Sequence, residues 1–221
     1  MDLLTSIDAM IEGRHLLTHS FYTKWVAGTL PKAAIQEYAR QYYAFESAFP
    51  RFLSALHSRT DDRAARQAIL DNLWDEEHGA ENHAELWLRF AEGMGVSREE
   101  VAGATRNEAT VALVDTYRRI ATEEPVAAGL AAVHAYERQV PAVATAKIDG
   151  LNEHYGVSDA RTLAFWEVHR TLDVGHSDGE REILATEGRD NEEAAVRATD
   201  EALDAWWRFL DAVDVPAAVP A

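Results

Sequence analysis

The run Phe165-Trp166-Glu167-Val168-His169-Arg170-Thr171-Leu172-Asp173-Val174-Gly175-His176 decides how this chain is read. It contains His-x3-Asp-x2-His. On a helix, steps of four and three residues place His169, Asp173 and His176 on one face. Two imidazoles and a carboxylate on one helical stripe form a ligand set for a transition metal. The competing reading is a surface stripe with two incidental histidines. His169 and His176 are seven residues apart, which is about 20° in angle but roughly 10 Å in rise. Metal–nitrogen bonds are only about 2 Å long. On a straight helix the two histidines therefore flank two adjacent ions, with Asp173 between them. Ions in a two-metal site lie about 3.5–4 Å apart, so the spacing points to a dinuclear centre.

The rest of the chain supplies a helical setting for that stripe. Alanine, leucine, glutamate and arginine dominate, and strand-like alternation is absent. The pattern predicts helices over about 3–12, 14–29, 32–58, 61–93, 106–121, 124–154, 159–187 and 190–212. Gly28-Thr29-Leu30-Pro31 separates the second from the third, and Gly93-Met94-Gly95-Val96-Ser97 ends the fourth. Ser97-Arg98-Glu99-Glu100 has the form of a capping box. Pro125 suits a first helical turn, Ser158 is a candidate N-cap, and Pro141 is expected to kink the helix around it. The expected fold is all-α, a bundle of seven to eight helices. Without a Pro/Gly/Ser-rich linker or an internal repeat, residues 1–213 read as one domain and 214–221 as a disordered tail.

Helical bundles build metal sites from inward carboxylates and histidines on facing helices, and two further segments qualify. In Leu73-Trp74-Asp75-Glu76-Glu77-His78-Gly79-Ala80-Glu81-Asn82-His83, Glu76 and His83 share a face with Leu73, Ala80 and Trp87. Glu77 and His78 turn toward solvent. A regular helix leaves Glu76 and His83 two turns apart, and Gly79 is the place for a distortion that joins them. Glu137 sits among Ala131, Val133, Val140, Ala144 and Ile148. A carboxylate in such surroundings needs a metal or a partner such as Arg138 or Arg118. The other six of the nine histidines read as caps, surface or core residues. A haem role for His15 or His19 has no second signal to support it.

Bulk composition removes several alternatives. The 221 residues include no cysteine, so disulfides, thiolate metal sites and cysteine nucleophiles are excluded. The formal net charge of −17 argues against nucleic acid and anionic membranes as partners. The first residues lack a basic, apolar signal pattern, and no run of about 18 apolar residues exists. The expected location is the cytoplasm. Trp206-Trp207-x-Phe209-Leu210 suits either a cap on the core or a homodimer contact.

Taken together, Glu76-x6-His83, Glu137 within Tyr-Glu-x-Gln-x-Pro, and His169-x3-Asp173-x2-His176 resemble the haem-oxygenase-like di-metal oxidases. The likeness spans about Tyr22 to His176. Within that superfamily the chain is most similar to the CADD type, the group of the chlamydial protein associating with death domains. The resemblance implies a haem-oxygenase-like fold and two transition-metal ions, iron or an iron–manganese pair. It implies O2 and an external reductant as co-reactants, and synthesis of p-aminobenzoate for folate from an internal tyrosine, with an internal lysine as amino donor. By position these fall on Tyr22 and Lys147, with a second active-site tyrosine on Tyr136. A further family tyrosine is replaced here by Phe165. Lys147 lies in the apolar stretch Val143-Ala144-Thr145-Ala146-Lys147-Ile148, where a lysine either loses its proton or snorkels to water. Tyr136 and Lys147 are eleven residues apart, about 20° in angle, so they share a face of the 124–154 helix.

Two other functions fit the same residues. The centre is also suited to oxidising an external fatty acid or amino acid. A non-enzymatic module would use its acidic surface to dock a partner helix. A thiaminase-type enzyme depends on a catalytic cysteine, which this chain lacks.

Overall fold

The computed structural model describes residues 2–214, which are helical with no strand among them. Twelve α-helices follow in order: α1 (Leu3–Gly13), α2 (Ser20–Val26), α3 (Lys32–Glu46), α4 (Phe49–Arg59), α5 (Arg63–Glu77), α6 (His83–Gly93), α7 (Arg98–Ala102), α8 (Glu108–Glu123), α9 (Val126–Glu137), α10 (Val140–His154), α11 (Ala160–Glu187) and α12 (Glu192–Asp214). The all-helical expectation holds, with shorter segments than the eight proposed. Three long segments are each cut in two. Pro50 falls in the first turn of α4 and Pro141 in that of α10. At each, the proline removes a backbone donor and clashes with the carbonyl four residues earlier, so the helix restarts. The third cut, between α5 and α6, contains Gly79 at φ +86°. Segment 14–29 keeps its helix only over α2, after a short 3-10 turn at Leu16–Thr18.

Caps fix several ends. Ser97 and Glu100 form the reciprocal capping box read from their spacing. Asp159, not Ser158, caps α11 by accepting from the Thr162 amide. Asp214 belongs to α12 and accepts from Ser20 and Lys24, so the expected tail loses its first residue; 215–221 lie outside the described residues. None of the described helices is long and apolar enough to cross a membrane.

The 28-residue α11 is the longest helix and packs on α10, α6, α9 and α5, while α12 closes the other side against α9 and α8. Between them lies a core rich in aromatic rings, including Trp25, Tyr38, Tyr42, Trp87, Phe165 and Trp206. Trp206, Phe209 and Leu210 point inward, and the Trp207 indole donates to the Arg14 carbonyl, so this stretch caps the core.

At one crossing α2 and α10 meet through Gly150. A Cβ there would stand 2.6 Å from Cδ1 and 2.8 Å from Nε1 of Trp25, a buried indole that donates to the Lys147 carbonyl. Gly150→Ala is expected to destabilise the fold by about 1–3 kcal/mol through overpacking, read as a lower urea midpoint. An unchanged midpoint would contradict this packing.

Candidate metal centre

Helix α11 carries the stripe first read from sequence. His169 and Asp173 are buried, and the His176 side chain is 10% exposed. The His169 Nδ1 lies 2.7 Å from the Phe165 carbonyl. Donating that proton leaves Nε2 with a lone pair directed away from its own helix, the orientation a metal ligand needs.

Glu76 and His83 meet because the helix between them is interrupted. Helix α5 stops at Glu77, the chain turns through 78–82, and α6 restarts at His83 with Asn82 as its cap. This turn brings Glu76 Oε2 to 2.9 Å from His83 Nδ1, which no straight helix permits. Glu77 and His78 face solvent as expected, His78 stacking on the exposed Trp74 at 3.8 Å. Ala80, expected on the inward stripe, is exposed in the turn, and Leu73 is only partly buried.

One cluster member was not anticipated. Ligand atoms from Glu46, Glu76, His83 and His169 all lie within 4.8 Å of one another, and all four residues are buried. Glu46 ends α3, on the same helical stripe as Tyr38 and Tyr42. A single carboxylate in the run Tyr42-Tyr43-Ala44-Phe45-Glu46-Ser47-Ala48-Phe49 is the same kind of signal that singled out Glu137.

A second group adjoins the first. Glu137, the last residue of α9, is buried and accepts from Asn72 Nδ2 at 2.9 and 3.1 Å. Arg118 pairs with Asp115 instead, so the surface ion pair considered for Glu137 does not form with it. His176 Nδ1 is 3.7 Å from Asp173 Oδ1, and its Nε2 is 3.1 Å from Asp75. Glu180 continues the α11 stripe by one more step of four. It is buried, 3.5 Å from His134 and electrostatically in contact with Glu137.

These groups fit a metal. Among the described residues, Glu46 Oε1, Asp173 Oδ1, His176 Nδ1 and both Glu180 oxygens are buried without a hydrogen-bond partner, and Glu76 Oε2 and His83 Nδ1 have only each other. Unpartnered buried polar atoms are costly. Burial pushes the Glu46, Glu137 and Glu180 carboxyls well above the usual range, and Asp173 above its own. Burial, with the His83 ring beside it, holds His169 down at about 3. Burial also acts to lower His83 and His176, but the carboxylates outweigh it, Glu76 for His83 and Asp173 for His176, raising each to about 9. Carboxylate and imidazole donors of this kind suit iron and manganese.

Beside the cluster lies a buried amine among tyrosines. Lys147 does not snorkel. Its Nζ is 2.5 Å from the Tyr38 hydroxyl, 3.8 Å from the Trp166 ring centre and 5.1 Å from that of Tyr22. Burial holds the amine far below the usual lysine range, favouring its neutral form. Tyr22 is buried and in electrostatic contact with Tyr38. Tyr136 pairs hydroxyl to hydroxyl with Tyr42, and its ring stacks on Trp206 at 4.6 Å. Tyr136 and Lys147 do not share a helix face, because α9 ends at Glu137 and α10 begins at Val140. Phe165 is fully buried against His169, His83, Trp87 and Tyr42. His15 and His19 are helix caps, their Nδ1 atoms accepting from the Leu17 and Phe21 amides.

Comparison with known proteins agrees with this geometry. The family described as "Iron-containing redox enzyme" matches residues 36–212. A 4-aminobenzoate synthase from Chlamydia muridarum is 42% identical over 98% of this chain and 92% of its own length. One from Nitrosomonas europaea is 41% identical over 94% of this chain and 89% of its own. A crystal structure of a domain with a heme oxygenase-like fold from Shewanella denitrificans superposes with a TM-score of 0.76 at 16% identity, covering 96% of this chain and 88% of that one. The expected fold is thereby borne out.

The buried amine makes a test of its surroundings. The unfolded lysine titrates near its ordinary 10.5, and the folded one well below it. Between those values the unfolded chain binds a proton that the folded chain does not. Stability therefore rises with pH across that window, by up to about 1.4 kcal/mol per unit for one group. Lys147→Met removes this dependence, so its gain over wild type should be largest near neutral pH and shrink toward the lysine's unfolded pKa. A difference that stays constant between about pH 7 and 10 would contradict a buried neutral amine.

Proposed function

This chain belongs to the family of iron-containing redox enzymes, and on that footing we propose that it is an O2-dependent di-metal synthase making 4-aminobenzoate from its own Tyr22, with Lys147 as the nitrogen donor. The observation that carries the reading is the Lys147 amine, buried against Tyr38 and the Tyr22 ring in the core that also holds the carboxylate–histidine cluster. The identity to two 4-aminobenzoate synthases over almost the whole chain supports the product.

In this reading Glu76, His83 and His169 hold one ion, and Glu137, Asp173 and His176 hold the other. Bound there, two irons or an iron–manganese pair supply, with O2 and an external reductant, the oxidising power that attack on a phenol ring requires. The protein's own groups do the rest. Burial keeps the Lys147 lone pair unprotonated, the condition for a nucleophilic amine. The Tyr38 hydroxyl accepts from Nζ of Lys147 and is in electrostatic contact with Tyr22, so it stands between the two reactants. Trp25 and Trp166 border Nζ and exclude water. Asn72 orients the Glu137 carboxylate through both oxygens. The cavity bordered by Asn72, His176 and Glu180 measures about 10 Å³, room for no more than a water molecule.

Iron-loaded protein given reductant and O2 should release no more than a single 4-aminobenzoate per chain. Tyr22→Phe should release none while taking up metal as wild type does. Product from Tyr22→Phe, or repeated turnover on an added small molecule, would overturn the reading.

A further inference from the structure

We infer that Glu46 is a metal ligand of this centre, a donor beyond the six residues read from the motifs, and that it links the ion it binds to the buried tyrosine pair Tyr42 and Tyr136. The inference rests on the di-metal reading and deepens it by completing the coordination of one ion.

Position is the first argument. A Glu46 oxygen lies within 4.8 Å of ligand atoms on Glu76, His83 and His169. Two carboxylates and two imidazoles converging at that separation can share one ion at metal–ligand distances of about 2 Å. The second argument is charge. Glu46 is 3% exposed, and it lies among the carboxylates of Glu76 and Asp173, with the His83 imidazole beside them as a neighbour of opposite sign. No salt bridge with lysine or arginine is made by Glu46 among the described residues. Its Oε1 has no hydrogen-bond partner there either. A carboxylate so placed is stable only if neutralised, by a proton or by a cation. The third argument is the helix. Glu46 is the last residue of α3, where the macrodipole is negative and disfavours a carboxylate but favours a cation.

Tyr42 gives the ligand a second role. It lies one turn earlier on α3, is in electrostatic contact with Glu46, and pairs with the Tyr136 hydroxyl. Tyr42 and Tyr136 therefore reach the ion through a single carboxylate. Since Phe165 has no hydroxyl, Glu46 is the cluster carboxylate in electrostatic contact with both Tyr42 and Tyr136. In this role Glu46 is a positioning residue for Tyr42 as well as a donor to the ion.

The test is anaerobic Mn(II) titration of the full chain by calorimetry, with electron paramagnetic resonance of the loaded protein. Glu46→Gln keeps the side-chain volume and is expected to weaken one of the two binding steps at least tenfold, by the order of about 10–100-fold seen when a metal's supporting groups are lost. The Mn(II) spectrum should change with it, and the metal-induced rise in Tm should shrink. Two wild-type affinities and a wild-type spectrum in Glu46→Gln overturn the inference alone. A wild-type chain that binds no metal overturns it together with the di-metal reading. A second measurement needs no variant: in a crystal of the Mn(II)-loaded wild type, a Glu46 oxygen should stand about 2.0–2.2 Å from an ion. A Glu46 carboxylate with no ion in bonding contact overturns the inference.

Discussion

The structure is organised around a concentration of acid where acid should not be. Glu46, Glu76, Glu137, Asp173 and Glu180 are all buried, and burial together with neighbouring carboxylates raises the proton affinity of Glu46, Glu137 and Glu180. No lysine or arginine is paired with any of them among the described residues. Hydrophobic packing cannot offset such a group, and a polar partner is needed for each atom taken from water. Protons satisfy part of this need in the metal-free chain, and His83 and His176 hold others near neutral pH. Two divalent cations would offset most of it. The fold thus gives up stability when empty to keep a site ready for ions, a common arrangement where function and folding compete.

Helix ends are the means by which the site is assembled. Glu46 and Glu137 close α3 and α9, Glu76 stands one residue from the end of α5, and His83 opens α6. Only α11 runs unbroken through its share of the donors. Because these side chains sit where helices stop, each is aimed by the break itself rather than by the 3.6-residue repeat. Carboxylates at helix C-termini also add to the negative potential that draws cations in.

This explains what was legible in the sequence. His169, Asp173 and His176 obey helical spacing, so counting residues was enough to group them. Glu76 and His83 were recognisable as a pair, but their contact depends on a turn at 78–82 that no periodicity encodes; Gly79 was the sole hint. Tyr136 and Lys147 share a face only on a helix that is continuous through Pro141, and the proline starts a new helix there. Glu46 and Tyr38 gave little signal, being one acid and one phenol in an aromatic run whose burial arises only from contacts with distant helices. The all-helical bundle, by contrast, follows from local propensity and needs no long-range information.

Lys147 links the metal cluster to the proposed chemistry. The same dry, aromatic surroundings that remove its proton also press it against Tyr38 and Tyr22. If these residues are reactants, the chain itself is altered by its reaction. Peptide mass mapping of the iron-loaded protein after exposure to O2 and reductant tests this most directly. The account predicts a loss of mass at Tyr22 and a change at Lys147, in proportion to the 4-aminobenzoate released. Product accompanied by unaltered Tyr22 and Lys147 peptides would contradict it.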